Sequence, residues 1–459
     1  MFFLLPLILI HLSFLINTRF TLWPEMVVYP YLVNNGFLLY RDIINPYPPL
    51  FIWFLSFFSK VTNYNVEAYQ ILTWTIILAV DLLIFVISKK IFKSLLSSLI
   101  STTFFVVTSI PFLTNGLWFD LVQTPFVILS IYFMYIYLED PSKSSRFLLS
   151  VIFFLFAFFI KQQAVWLLPA FSLALIFKIG NKKILAHNLI ILLSLLCLFL
   201  FTQLFIFWRS GNLLDYLNWV FYFPLKASSF PGYVLLPSAR QILTVLAVLL
   251  FFLPAALNLK KEGKLFIFCA VPLILFAYPR FDYFHLIPAL SILSITAGTN
   301  INNVKKANKA IKITFAISAI FLLLFTYRYF QRNWNTEIRF FEKDIYESST
   351  LLKVLTNKNE PIYVQNGPDQ LLVLSNRLPT KPWADELPWY LELPTLQEKI
   401  LNGMINANPK FVVYKPYDQG KKYNLGSYKP ELIANYIDLN YKNKTQISDT
   451  LWLKEKNEK

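Results

Sequence analysis

Apolar runs recur along the chain to about residue 330 and then stop. They cover residues 2–18, 66–88, 95–111, 117–138, 147–160, 164–177, 189–208, 242–259, 265–278, 284–297 and 311–327. A span needs about 20 mostly apolar residues, so the pattern predicts roughly eleven transmembrane helices. The runs flanking Lys161, Gln162 and Gln163 are short for a crossing. That polar break predicts helices that start or stop inside protein, because backbone freed at membrane depth must find partners there.

Between the first two runs lies a polar outer loop, residues 19–65, with Glu25 and Asp42 ahead of Pro46, Pro48 and Pro49. Pro24 sets the start of a helix predicted over residues 26–35 and lying along the interface, and Gly36 is placed to end it. The three prolines forbid regular helix and hold the loop rigid before residues 50–58 return to apolar surroundings. A loop this long in so apolar a chain implies a function, and rigid backbone suits a preorganised site.

Past residue 331 the periodicity changes. Residues 361–364 and 410–414 read as buried strands, residues 369–375, 396–407 and 430–436 as helices, and residues 445–453 as a last alternating strand. Such alternation predicts a small α/β domain with a mixed or parallel sheet. The fold class is therefore an α-helical polytopic membrane protein, residues 1–330, followed by an extracytoplasmic α/β domain, residues 331–459.

Composition supports this class: 56% hydrophobic residues, 18% aromatic and a mean hydropathy of +0.52 exceed what a soluble chain carries. Basic residues fall in every second loop: Lys89, Lys90 and Lys93; Lys143 and Arg146; Lys178, Lys182 and Lys183; Lys260, Lys261 and Lys264; and Lys305, Lys306, Lys309 and Lys312. The positive-inside rule makes those loops and the N-terminus cytoplasmic, with residues 19–65 and everything after Tyr327 outside. Residues 331–459 hold 18 Lys and Arg against 16 Asp and Glu, so most of the net charge of +16 belongs to the membrane part. The basic balance is topological and implies no nucleic-acid partner.

The first run lacks a basic n-region and a small-residue cleavage site, which predicts a retained signal anchor. Cys197 and Cys269 sit within predicted spans and read as packing residues. With 11 glycines there is neither a Walker A loop nor a dinucleotide fingerprint. No His, Cys or acid cluster has metal-ligand spacing, so no cofactor is implied, and a divalent cation has no support in the sequence.

The membrane part holds ten acids: Glu25, Asp42, Glu67, Asp81, Asp120, Glu139, Asp140, Asp215, Glu262 and Asp282. Glu139, Asp140 and Glu262 lie among cytoplasmic lysines as solvated charge. Asp81 is inside a run, where an ionisable group needs a polar cavity or a partner. Glu67 and Asp120 begin spans at the outer end and suit the helix dipole, although Asn115, Trp118 and Gln123 share the edge of Asp120. Asp215 reads as a cap in the outer loop 209–236. His11 and His187 lack supporting ligands, whereas His285 has Asp282 close in sequence. Glu25 and Asp42 stand apart because prolines fix their surroundings.

A carboxylate soon after the first span, an interfacial helix, then Gly36-x-x-x-Tyr40-Arg41-Asp42 and Pro46-x-Pro48-Pro49-Leu50 resemble the first outer loop of GT-C fold glycosyltransferases. The nearest likenesses are protein O-mannosyltransferases, the aminoarabinose transferase that modifies lipid A, and bacterial relatives acting on cell-envelope glycans. Lys161-Gln162-Gln163 with Leu168 and Pro169 is similar to their polar turn between half-buried helices. Residues 278–285, with Arg280 and followed by Pro288, resemble their late outer loop. Pro24 stands where the group typically has the first acid of an Asp-Glu pair, so Glu25 matches the second. Asp42 matches the acid ahead of the prolines, with a longer spacer.

The resemblance implies transfer of a sugar from a polyprenyl-phosphate donor to an acceptor hydroxyl at the outer face of the cell membrane, with inversion. Either Asp42 or Glu25 is then the base. Arg280, Lys161 and Arg240 are the cations for the donor phosphate, and Arg41, Tyr40, Asp120, Asp282 and His285 are supporting residues. Lipid, glycan and protein acceptors all stay open, and membrane lipids are partners. The rival class is a polytopic transporter or lipid flippase, for which the sequence offers neither internal repeats nor paired broken helices.

Overall fold

Among the described residues, four of the apolar runs fold as helices long and apolar enough to cross a membrane: Val66–Phe92, Phe119–Glu139, Lys182–Arg209 and Lys309–Asn333. At 1.5 Å per residue the first of these is about 40 Å long, ample for a hydrocarbon core of about 30 Å. The structure, a computed structural model, describes residues 3–179, 181–258 and 261–457. Phe2, Leu259 and Lys260, with the side chains of Lys261 and Glu262, lie outside the described residues, and so do the expectations that rest on them. The chain is a multi-pass membrane protein.

Other runs are interrupted by their own prolines and polar residues. The run 95–111 ends as helix at Thr108 and tightens into a 3-10 turn, Ile110–Phe112, around Pro111. The run 242–259 divides into Ala239–Phe251 and Leu253–Asn258, with Pro254 near the start of the second piece. The polar break at Lys161 folds as expected. Helix Ser144–Ile160 stops there, Lys161 is extended at φ −151° and ψ 119°, and a 3-10 turn, Gln162–Trp166, leads into helix Leu167–Lys178.

Chain packing divides the molecule into two compact units. The first comprises Met1–Thr21, Tyr69–Gln203 and Leu236–Thr336; the second comprises Leu22–Ala68, Leu204–Leu235 and Glu337–Lys459. Most of the loop 19–65 therefore folds with the C-terminal residues. In the first unit, small hydroxyl residues let helices approach and satisfy each other. The Ser130 and Ser150 hydroxyls each donate to the other's carbonyl, at 2.9 and 2.8 Å, and Ser88 and Ser101 both donate to the Ile295 carbonyl.

The second unit is built on a four-stranded mixed sheet. Its strands are β1 (Ile362–Gln365), β2 (Phe411–Tyr414), β3 (Tyr441–Gln446) and β4 (Trp452–Lys456), in the order β1-β2-β4-β3. β1 pairs parallel to β2 with Val364 opposite Val413, and the other pairings are antiparallel. Helix Leu396–Ala407 is part of the crossover between the parallel strands and buries Ile400 and Met404. The single strand expected over 445–453 is instead a hairpin. Ile447 and Leu451 are joined by a backbone hydrogen bond around Ser448, Asp449 and Thr450, polar turn formers that reverse the chain.

Candidate functional site

In the second unit the proline after the first span does what its fixed φ allows: Pro24 caps helix Glu25–Asn34 and leaves Glu25 in the first turn, where the helix dipole favours a carboxylate. Gly36 follows the helix at φ +82°, a conformation that suits glycine. The chain then folds back on itself around Asp42. The Asp42 amide donates to the Leu38 carbonyl at 2.8 Å, and the Leu38 amide donates to Asp42 Oδ2 at 3.0 Å. Tyr40 takes φ +73° inside this turn, is buried, and donates from its hydroxyl to the Tyr47 carbonyl at 2.9 Å. Asn45 brackets Tyr47 from both sides, which fixes the proline turn that leads into helix Leu50–Thr62.

Asp42 is heavily partnered. Arg41 Nε donates to Oδ1 at 3.2 Å, and Lys381 Nζ lies 3.2 Å from Oδ2. Burial alone raises such a carboxyl, but the Leu38 amide, Arg41 and Lys381 outweigh it and hold Asp42 below its usual range. Its lone pairs are committed to the loop and to two cations.

Glu25 is in a different state. It is half-buried, and its Oε2 is shielded from solvent with no hydrogen-bond partner among the described residues. Burial pushes its carboxyl up to about 7. Three more acids share these surroundings. The Tyr29 hydroxyl, one helical turn after Glu25, donates to Asp385 Oδ2 at 3.2 Å. Burial first, then the charges of Glu25 and Asp369, raise Asp385 well above the carboxylate range. Burial, with Glu386 and Glu25, pushes Asp369 up to about 8. Glu386 accepts from the Tyr363 hydroxyl and the Asn366 amide, each at 2.8 Å, yet burial still pushes it up to about 7. A carboxyl that ionises near neutrality and keeps an oxygen unoccupied is equipped to take a proton.

The first unit holds a separate polar cluster. Lys161 Nζ donates to Asp120 Oδ2 at 2.6 Å, and His285 Nδ1 lies 3.0 Å from that oxygen and 3.1 Å from Nζ, with all three side chains buried. The extended backbone at Lys161 aims its side chain at the first turn of helix Phe119–Glu139, so Asp120 is an ion-pair partner as well as a helix-start charge. His285 is thus partnered by Asp120, while Asp282 caps the turn Tyr283–Leu286 by accepting the Tyr283 amide at 2.6 Å. Arg280 is half-buried ahead of that turn, and Arg240 is exposed in the first turn of helix Ala239–Phe251.

The tertiary structure also corrects the reading of His11. His11 does have a partner: its Nδ1 lies 2.6 Å from Asp81 Oδ2, with both side chains fully buried. The two residues are 70 positions apart, so local sequence gave no sign of it. Sequence reasoning also missed Lys381, Asp369, Asp385 and Glu386 as neighbours of the outer-loop acids. The available signal was two adjacent acids inside the aromatic and proline-rich stretch 382–390. Among the described residues no group of three His, Cys, Asp or Glu side chains is arranged to hold a metal ion.

Residues 46–208 match the family model described as dolichyl-phosphate-mannose-protein mannosyltransferase. No curated protein matches the chain in sequence. Among solved structures, ArnT from Cupriavidus metallidurans bound to undecaprenyl phosphate is similar over 98% of this chain and 97% of its own, at 9% identity and a TM-score of 0.59. Its apo form gives 97%, 95%, 9% and 0.57. The Archaeoglobus fulgidus oligosaccharyltransferase, tethered with an acceptor peptide, is similar over 99% of this chain and 74% of its own, at 10% identity and a TM-score of 0.56. Likeness at such low identity speaks for the fold, which is the GT-C fold.

Proposed function

With the GT-C glycosyltransferase fold as premise, we propose that this protein transfers a sugar from a polyprenyl-phosphate donor to an acceptor hydroxyl at the outer face of the membrane, with Glu25 as the general base. The observation that carries the reading is the Glu25 carboxyl itself, raised to about 7 by burial and with Oε2 unpartnered. Glu25 removes the acceptor proton as the hydroxyl oxygen attacks the anomeric carbon. The bond from that carbon to the phosphate oxygen breaks, and the polyprenyl phosphate departs with the electron pair. Direct displacement of this kind inverts the anomeric centre.

Asp42 fits a supporting role better, because its oxygens are held by Leu38, Arg41 and Lys381. The leaving phosphate needs cations, a role we propose for Arg280 and Arg240 from the chemistry of the guanidinium group alone, which can grip phosphate oxygens in pairs. Lys161 is a weaker candidate for direct contact, since Asp120 already neutralises it at 2.6 Å. The matches to a mannosyltransferase family model and to a neighbour that binds undecaprenyl phosphate support the donor class.

The test is transfer from a panel of undecaprenyl-phosphate sugars by the full chain in lipid nanodiscs, comparing wild type with Glu25→Gln and Asp42→Asn. Loss of about 10²- to 10⁴-fold in turnover is expected for Glu25→Gln, and a smaller loss for Asp42→Asn. Unchanged transfer by Glu25→Gln would remove it as the base.

A further inference from the structure

Residues 381–385 of the C-terminal region contact the helix of Glu25 at its middle and the chain just past its C-terminal end. At its C-terminal end, Lys381 Nζ donates to the Gly36 carbonyl at 3.0 Å, lies 3.2 Å from Asp42 Oδ2 and stands 4.2 Å above the Phe37 ring. The ammonium thus has two oxygen acceptors and one ring face within reach. Two residues on, the Trp383 amide donates to the Asp42 carbonyl at 2.8 Å and its carbonyl accepts from the Ile44 amide at 3.0 Å. In the middle of the helix, Asp385 accepts from Tyr29, one turn after Glu25. The segment has its own backing. A Cβ on Gly403 would lie 1.9 Å from the Lys381 carbonyl oxygen, so helix Leu396–Ala407 meets Lys381 backbone against backbone and leaves it no room to retreat.

We propose that Lys381 is a positioning residue of the transfer reaction, fastening the Gly36 and Asp42 end of the outer loop so that Glu25 is presented in one orientation. The proposal rests on Glu25 being the base. It gives the C-terminal region a part in the chemistry: Lys381 shares Asp42 with Arg41, hydrogen-bonds the Gly36 carbonyl just past the helix and ties both to a braced segment. Misplacement of a reacting group by about 1 Å can cost on the order of 10²-fold in rate, so a contact of this kind acts on turnover without touching substrate.

The experiment uses the full chain in nanodiscs with undecaprenyl-phosphate mannose and the other members of the donor panel, together with hydrogen exchange of the outer-loop amides. Lys381→Met should lower turnover roughly 10- to 100-fold with donor KM little changed, and Lys381→Arg should recover much of the loss. The double variant Lys381→Met with Asp42→Asn should be no worse than the poorer single variant, because both cut one link. Exchange at the Leu38 and Ile44 amides should quicken in Lys381→Met. Wild-type turnover in Lys381→Met, losses that multiply in the double variant, or unchanged exchange each overturn the proposal. If wild type consumes no donor in the panel, the functional reading fails instead, and the exchange comparison alone decides whether Lys381 fastens the loop.

Discussion

At the scale of single residues, protonation separates the two outer-loop acids. Asp42 is surrounded by donors and stays charged, whereas at Glu25 burial outweighs the one backbone hydrogen bond and raises the carboxyl to about 7. A base must be deprotonated to act, so kcat/KM should climb with pH through about 7 and level off above it, and the rising limb should disappear from the residual activity of Glu25→Gln. A rising limb confined to more acidic solution, below the usual carboxylate range, would point back to Asp42. Asp385, Asp369 and Tyr29 are the ionisable side chains facing Glu25, with Tyr390 and Tyr47 beside Tyr29. The buried His11–Asp81 pair is a second residue-scale test. Removing one member of a buried pair leaves the other uncompensated, so His11→Ala should cost about 3–5 kcal/mol, read as a lower unfolding midpoint in detergent. A loss too small to measure would show that the pair contributes nothing to holding these elements together.

At the scale of elements, two glycines that look alike in sequence have different duties. Gly36 ends the helix of Glu25 at positive φ, and a Cβ added there would meet nothing within 4 Å, so Gly36→Ala incurs only backbone strain of about 1–2 kcal/mol. Gly403 lies mid-helix, and its replacement collides with the Lys381 backbone. Gly403→Ala should therefore reduce sugar transfer more than Gly36→Ala does while helix content by circular dichroism is unchanged; equal effects would deny that helix Leu396–Ala407 braces Lys381. The helices themselves were largely legible. Residues 396–407 appear as read, and the helix expected over 26–35 lies at Glu25–Asn34, because apolar periodicity and a proline–glycine frame are local signals. The hairpin at 441–456 was not legible, because a turn of Ser, Asp and Thr also fits the polar face of one longer strand.

For the molecule as a whole, the raised carboxyls make stability depend on pH. Glu25 and Glu386 keep their protons to about 7 against 4.5 in an unfolded chain, and Asp369 to about 8 against 3.8. Between those values the folded chain binds protons the unfolded chain has released, so stability falls as pH rises through that window. Asp42, lowered from 3.8, supplies stability that is lost only in more acidic solution. The unfolding midpoint of the detergent-solubilised chain should thus be higher at pH 5 than at pH 8, and Glu386→Gln should narrow the gap; a midpoint that rises across this range would contradict the burial of these groups. The sequence by itself determined that the chain is a membrane protein with a proline-framed, acid-bearing loop after its first apolar run, because apolar length and prolines act within a few residues of where they stand. Only the tertiary structure decided which acid is held on both oxygens and which keeps Oε2 unpartnered among the described residues. That depends on Lys381, 339 residues from Asp42, and on Asp385, 356 residues from Tyr29. Burial and charge compensation are properties of neighbours in space, and the chain order does not state who those neighbours are.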